Sequence, residues 1–264
     1  MSEAVGIFDS GLGGLFAVRE LFRRRARTDV IYYADEAYLP YGEKPPDLLL
    51  ARARAITRGL RARGASTLLA ACGTLSSVAV PRLREECPLP LYGITEPLAQ
   101  KTAQAVTAGG EILLLATDAT VRAGLFSKQI SVLATHAPLH TQACPTFVPL
   151  VEGWRARREE EILRALREAL APYLALPIAA VALGCTHFSP LGPYISRLFP
   201  AATVVDGARE SAAAFAAALS PQLAPGEGRL RILTSGDPRS LAHRIDPHLF
   251  ASLPPYTIEK TDFL

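Results

Sequence analysis

Several large classes of protein are excluded by what this sequence lacks. Four cysteines in 264 residues are too few for a disulfide scaffold, and they form no CxxC motif and no Cys/His pair at zinc-ligand spacing. Free thiols in a reducing compartment and no metal site are therefore expected. No apolar run approaches the roughly 18 to 20 residues that span a bilayer. The opening MSEAVGIFDSGLGG enters a strand-like run with neither a basic n-region nor an apolar h-region, so it does not read as a signal peptide. A soluble, cytoplasmic protein without membrane contact is the expectation. Charge of one sign is also scarce. Lys and Arg number 28 against 25 Asp and Glu, a formal net of +3, and the arginines are interspersed with glutamates, so no nucleic-acid surface is expected. The glycine-rich FDSGLGG at 8–14 fits neither GxGxxG nor a Walker loop, which argues against a nucleotide site.

What the chain does have is apolar content, 49% against 20% charged residues, enough for one sizeable core or two modest ones. Two compact lobes are expected. Short apolar runs recur: VGIF at 5–8, VIYYA at 30–34, TLLAA at 67–71, LPLYGI at 89–94, EILLLA at 111–116, AAVALG at 179–184, ATVV at 202–205 and LRILTS at 230–235. Each has the length of a strand. Helical periodicity fills several intervals, as in LLLARARAITRGLRARG at 48–64, and this alternation predicts an α/β fold with mainly parallel sheets. The charges of 154–170 can pair at i and i+4 (Arg157 with Glu161, Glu160 with Arg164, Arg164 with Glu168) and read as a solvated helix face. PQLAPGEGR at 221–229 reads as a surface loop.

A duplication of design points to the chemistry. One strand ends in AACGT at 70–74 and another in LGCTH at 183–187, each leading into a helix. Ligands of open α/β sheets bind beyond the carboxyl ends of the strands, so Cys72 and Cys185 fall where small-molecule chemistry occurs. If two lobes face each other, both strand ends share one cleft. Backbone N–H groups at a helix start favour a thiolate and lower a thiol pKa that is otherwise about 8.5. Cys87 and Cys144, each before a proline with no helix start after it, read instead as small buried hydrophobes. Asp9 and Ser10 bring a carboxylate and a hydroxyl to the end of the first strand, and YADEAYLPYGEKP at 33–45, holding Asp35, Tyr41 and Gly42, could form a cleft wall. His187, two residues after Cys185, suits proton transfer. A Cys–His hydrolase stays open on this reading, although it has no need of two equivalent cysteines.

Taken together, DSGLGG at 9–14, YADEAYLPYG at 33–42, ACGT at 71–74, ATDAT at 116–120, CPTFVPLVEGW at 144–154, GCTH at 184–187, VVDGARESA at 204–212 and LTSGDP at 233–238 resemble the glutamate racemase family over nearly the whole chain. The resemblance implies two similar α/β lobes with the active site in the cleft between them, the first lobe being 1–95 completed by 208–264 and the second 96–207. It implies no cofactor, glutamate as the small-molecule partner, and D-glutamate supplied for peptidoglycan; it leaves a homodimer open. Carried over residue by residue, Cys72 and Cys185 look like the pair flanking the substrate α-carbon, with Asp9, Glu152 and His187 as their proton-handling partners. Ser10, Tyr41, Gly42, Gly73, Thr74, Thr117, Thr120 and Thr186, with Asp9, resemble the groups that hold the amino acid.

Inversion at an α-carbon needs a base on one face and an acid on the other, so one thiol must be ionised while its partner is protonated. Proton transfer across a gap of roughly ten pKa units is uphill by about 14 kcal/mol, which hydrogen bonds to the substrate carboxylate in a water-excluded site must reduce. The family's Cys-Asn-Thr block is here Cys72-Gly73-Thr74, which removes a side-chain amide expected at the substrate. Aspartate or another small amino acid is therefore an alternative substrate. A catalytically silent amino-acid-binding protein is a further alternative, opposed by the retention of both cysteines, Asp9 and His187.

Overall fold

Every one of the eight apolar runs forms a strand in the computed structural model, which describes residues 4–106, 109–219 and 226–263. The strands are β1 (Ala4–Asp9), β2 (Val30–Ala34), β3 (Ala65–Ala70), β4 (Leu91–Gly93), β5 (Glu111–Ala116), β6 (Leu139–Ala143), β7 (Ile178–Leu183), β8 (Thr203–Asp206), β9 (Leu230–Thr234) and β10 (Tyr256–Lys260). Between them run α1 (Gly14–Arg24), α2 (Pro46–Ala62), α3 (Gly73–Val78), α4 (Val80–Glu86), α5 (Thr95–Ala105), α6 (Asp118–Ala123) and α7 (Leu125–Leu133). The rest are α8 (Phe147–Glu152), α9 (Glu159–Leu170), α10 (Gly192–Leu198), α11 (Gly207–Ala218), α12 (Pro238–Arg244) and α13 (Pro247–Phe250). Two strands were not anticipated, β6 (LHTQA) and β10 (YTIEK). Both lie at the outer edge of a sheet and bury none of their residues fully, so neither needs the apolar run that marks an interior strand.

The strands form two sheets, ordered β10-β9-β2-β1-β3-β4 and β6-β5-β7-β8, and every pairing in both is parallel. In the first sheet the chain goes from β1 outward to β2 and then back across to β3; in the second it goes from β5 to β6 and then back to β7. The strand order therefore reverses between β1 and β3 and again between β5 and β7. These switch points, where a crevice opens at the carboxyl ends, are the binding places of open α/β sheets. The two halves even share an irregularity, a register shift near the start of the β1–β3 and β5–β7 pairings.

Alternation along the strands sorts the core. Phe8, Ile31, Tyr33, Leu68 and Leu233 pack with Leu49, Ile56 and Leu60, which lie on one face of α2. Ile112, Leu114, Ala180 and Ala182 pack with Leu98, Phe126 and Ile130 on the far side of the second sheet. The opposite faces meet. Val5, Ile7, Tyr32 and Ile232 of the first sheet belong to the same buried cluster as Leu113, Leu115, Val181 and Leu183 of the second, joined through Leu15, Phe188 and Phe215. Burying a large apolar side chain stabilises by about 1.5 to 3 kcal/mol, whereas a hydrogen bond contributes about 1 kcal/mol net. The shared apolar interior thus fixes how the sheets sit, and polar contacts at the crevice only refine it.

Two local expectations change, and a third is only partly covered. The helix expected across 154–170 starts at Glu159, after a 3-10 turn at 154–156, and its charges pair as Arg158 with Glu161 and as Glu159 with Arg197 rather than at the anticipated i, i+4 positions. Cys185 leads not into an α-helix but into a 3-10 stretch, Thr186–Leu191, because Pro190 cannot donate its share of α-helical hydrogen bonds. Of the loop expected at 221–229, residues 221–225 lie outside the described residues and 226–229 are irregular.

Candidate active site

The carboxyl ends of β1, β3, β5 and β7 converge on a narrow cavity of about 70 Å³. Asp9, Ser10, Tyr41, Gly42, Cys72, Gly73 and Thr74 line it from the first sheet's side; Thr117, Val148, Cys185, Thr186 and His187 line it from the second. Leu39 and Pro40 complete the wall. Of the residues singled out from the sequence for the cleft, Asp35, Thr120 and Glu152 are not in the lining and stand directly behind it. Leu39 and Pro40 fall in the 33–45 segment expected as a wall, though neither was named; Val148 had no reading of its own, since apolar lining residues have no chemical signature in a sequence.

β3 delivers Cys72 as the residue capping α3, with an extended backbone and 5% exposure. The expectation of an easily ionised thiol fails here. Burial, and after it the charge of Asp9, push the Cys72 thiol well above its ordinary value, and the Leu75 backbone N–H that favours the thiolate does not outweigh them. A helix of six residues offers little dipole against a fully enclosed sulfur next to a carboxylate. Asp9 itself is anchored at the start of α1, where its Oδ2 accepts from the Gly14 N–H at 2.7 Å, and Ser10 Oγ donates to its Oδ1 at 3.4 Å.

Cys185 stands in the opposite kind of environment. His187 lies beside it, and His187 Nε2 meets Glu152 Oε1 at 3.2 Å. Burial acts to lower the His187 pKa, but hydrogen bonds to Cys185 and Glu152, and the charges of Cys185 and Asp9, raise it to about 10. Glu152 titrates below its ordinary value: burial raises it, but the hydrogen bond and charge of His187 together with the charge of Arg244 outweigh burial and lower it. The side chain at 187 is therefore an imidazolium at neutral pH. Cys144, close enough to Cys185 to be influenced by it, is pushed up to about 12 mainly by burial, as suits an inert buried thiol.

Threonines close the cavity between the sheets. Thr117 caps α6 by accepting from the Thr120 N–H at 3.4 Å; its Oγ1 lies 3.0 Å from Thr74 Oγ1 and 2.8 Å from Thr120 Oγ1. Thr120 thus orients a lining hydroxyl. Tyr41 is fixed by Asp35, whose Oδ2 accepts from the Tyr41 hydroxyl at 2.5 Å. Arg52 grips the same carboxylate from α2 with two N–H groups, at 2.7 and 3.0 Å, and donates to the Phe263 carbonyl at 2.7 Å. Arg52 sits in the arginine-rich 48–64 stretch, and its side chain is only 7% exposed.

Glycines let the two sides approach. A Cβ at Gly13 would lie 2.2 Å from His187 Nδ1, and one at Gly73 would lie 2.0 Å from the Gly184 carbonyl oxygen. The place of the side-chain amide expected after Cys72 is therefore taken by backbone from across the cavity.

Three comparisons agree with this geometry. A family model described as Asp/Glu/Hydantoin racemase matches residues 17–215. The glutamate racemase of Gloeobacter violaceus is 38% identical over 247 residues, covering 93% of this chain and 92% of its own. Among solved structures, glutamate racemase isoform RacE1 from Bacillus anthracis superposes with a TM-score of 0.90 at 25% identity, covering 98% of this chain and 97% of that one. Escherichia coli glutamate racemase, in complex with L-glutamate and the activator UDP-MurNAc-ala, gives 0.82 at 28% identity and covers both chains fully (100%).

Proposed function

The chain belongs to the Asp/Glu/Hydantoin racemase family, and from that premise we propose that it interconverts L- and D-glutamate, with Cys72 and Cys185 working on opposite faces of the α-carbon. The observation that carries this reading is two buried thiols at equivalent switch points of two parallel sheets, lining one cavity and each backed by its own proton partner.

One thiolate removes the α-proton and the thiol opposite delivers another, so the configuration inverts and the protein ends with the proton on the other sulfur. By the family resemblance, Cys185 acts on the L-enantiomer and Cys72 on the D-enantiomer. Asp9 serves as the proton partner of Cys72, and the His187–Glu152 pair as that of Cys185. The hydroxyls of Ser10, Thr74, Thr117 and Thr186 and the Gly73 N–H supply donors for the substrate carboxylates. Such donors stabilise the charge that builds up as the α-proton leaves, more strongly in a closed cavity than in water. No cofactor is needed for these steps. The lobes of this enzyme are taken as 1–95 with 208–264 and 96–207, which the division of strands between the two sheets supports.

Absence of a helix long and apolar enough to cross a membrane among the described residues fits a cytoplasmic enzyme that supplies D-glutamate for peptidoglycan. Proton NMR with L-glutamate in D2O and no added cofactor tests the reading. Loss of the Cα–H signal with appearance of D-glutamate is expected. Aspartate exchanging as fast as or faster than glutamate would transfer the assignment to the sister specificity, which Gly73 makes the second reading.

A further inference from the structure

Arg244 is the last residue of α12, a helix that follows β9 of the first sheet, yet its guanidinium reaches the second sheet's side of the cleft. Its Nη1 lies 3.6 Å from Glu152 Oε1, the same oxygen that meets His187 Nε2 at 3.2 Å. Its Nη2 pairs with Glu36, whose other carboxylate oxygen accepts from Thr234 Oγ1 at 3.2 Å. The side chains of Arg244 and Glu152 are about a quarter exposed (24% and 26%), while that of Glu36 is 7% exposed. Charges therefore alternate along a row that begins behind Cys185: His187, Glu152, Arg244, Glu36.

Glu152 ends α8, and with His187 as its sole fixed partner its carboxylate would be free to turn toward solvent. The guanidinium removes that freedom, and Arg244 is itself held by a carboxylate buried on the first sheet's side. On the reading given above, we propose that Arg244 is a positioning residue for racemisation: it pins Glu152 on His187, and so serves proton transfer at Cys185 rather than at Cys72. The groups facing His187 are Cys185, Asp9 and Glu152, and only Glu152 carries the influence of Arg244 to it. Cys72 is governed by burial, Asp9, the Leu75 N–H and Cys185, none of which touches Arg244.

A rate measurement alone cannot reveal this selectivity. L- and D-glutamate have equal free energies, so kcat/KM must be the same in both directions for every variant. The isotope effect is free of that constraint. If transfer at Cys185 slows, removal of the α-deuteron from L-[2-2H]glutamate becomes more rate-limiting. Removal from D-[2-2H]glutamate by Cys72 becomes less so.

The test uses the full-length protein carrying Arg244→Gln or Arg244→Lys. Arg244→Gln is expected to lower kcat/KM about tenfold, the scale of a displaced proton-transfer partner. Its deuterium effect on kcat/KM should rise with the L-substrate and fall with the D-substrate, and Arg244→Lys should recover most of both changes. Unchanged kinetics, or isotope effects that move together in both directions, would overturn the proposal. Glu36→Gln, which loosens the far end of the row, should reproduce the asymmetry more weakly and serves if Arg244→Gln does not fold. Long-range 1H–15N NMR of the ligand-free protein gives a readout independent of turnover. The His187 ring nitrogens should shift in Arg244→Gln, and unshifted signals would sink the proposal. Lack of glutamate turnover by the unaltered protein would instead refute the proposed function.

Discussion

After β3 the chain turns at Cys72 directly into a short α-helix; after β7 it passes Cys185 into a 3-10 stretch that contains a proline, Pro190. The two cysteines hold equivalent places in their sheets, yet Cys72 faces a carboxylate and Cys185 an imidazolium. Parallel topology dictates the first fact, since any residue just past the switch point of a parallel sheet looks into the crevice. The second is set by separate local devices. Asp9 is brought in by the β1–α1 turn and anchored on the Gly14 N–H, whereas His187 follows Cys185 on the same turn and is held by Glu152 from α8. A pair of thiols that must always be in opposite protonation states is well served by such unlike surroundings.

The largest effects should come from the sulfurs. Replacing either Cys72 or Cys185 by serine is expected to lower racemisation by at least about a thousandfold, within the range set by loss of a general acid or base, as followed by polarimetry with glutamate. Retention of more than a tenth of the rate by either variant would break the equivalence of the two positions.

Next come the glycines that allow the sides to meet. Gly13 has helical backbone angles that alanine adopts freely, so Gly13→Ala should leave α1 intact while its Cβ, 2.2 Å from His187 Nδ1, displaces the imidazole. Activity should drop about a hundredfold, a usual penalty for misplacing a catalytic group by an ångström, with a near-native circular dichroism spectrum. Gly73→Ala, opposed by backbone rather than by a side chain, should force the sides apart, and small-angle scattering should report a larger radius of gyration.

A smaller change is expected behind Tyr41. Asp35→Asn breaks a buried pair with Arg52 and should lower stability by roughly 3 kcal/mol by urea denaturation, since it leaves the buried guanidinium with the half-exposed Asp262, 3.5 Å away, as its remaining carboxylate. The KM for glutamate should rise more than kcat falls, because Tyr41 is a wall of the cavity and not a proton carrier.

The mildest effect is a shift with pH. His187 titrates at about 10, above its ordinary 6.5, so the stability its proton contributes is complete below about pH 6.5 and is lost as pH rises through about 10. Glu152→Gln removes part of what raises that value. It should move the alkaline fall in melting temperature, and the alkaline limb of kcat/KM, to lower pH. An unmoved limb would separate His187 from the Cys185 half of the comparison.

Eight of the ten strands and both cysteine turns were legible because they rest on local pattern: apolar runs of strand length, with chemistry at the carboxyl ends of two of them. β6 and β10 were not, since neither buries a residue fully, unlike the edge strands β4 and β8, and neither therefore carries an apolar run. The thiol at Cys72 shows the same limit in its electrostatics. A helix start predicts a low pKa, but burial and a carboxylate 63 positions earlier in the chain decide it. Arg52 and Arg244 were not singled out because their partners, Asp35 in one case and Glu36 with Glu152 in the other, are brought to them by tertiary folding alone.

The central claim, two thiols with opposite faces to serve, is tested most directly by following the Cα–H of each glutamate enantiomer in D2O with the single variant Cys185→Ser. Cys72 alone should still exchange the α-proton of D-glutamate slowly, leave that of L-glutamate untouched and form no opposite enantiomer. Exchange of both enantiomers at similar rates, or of L-glutamate alone, would contradict the account.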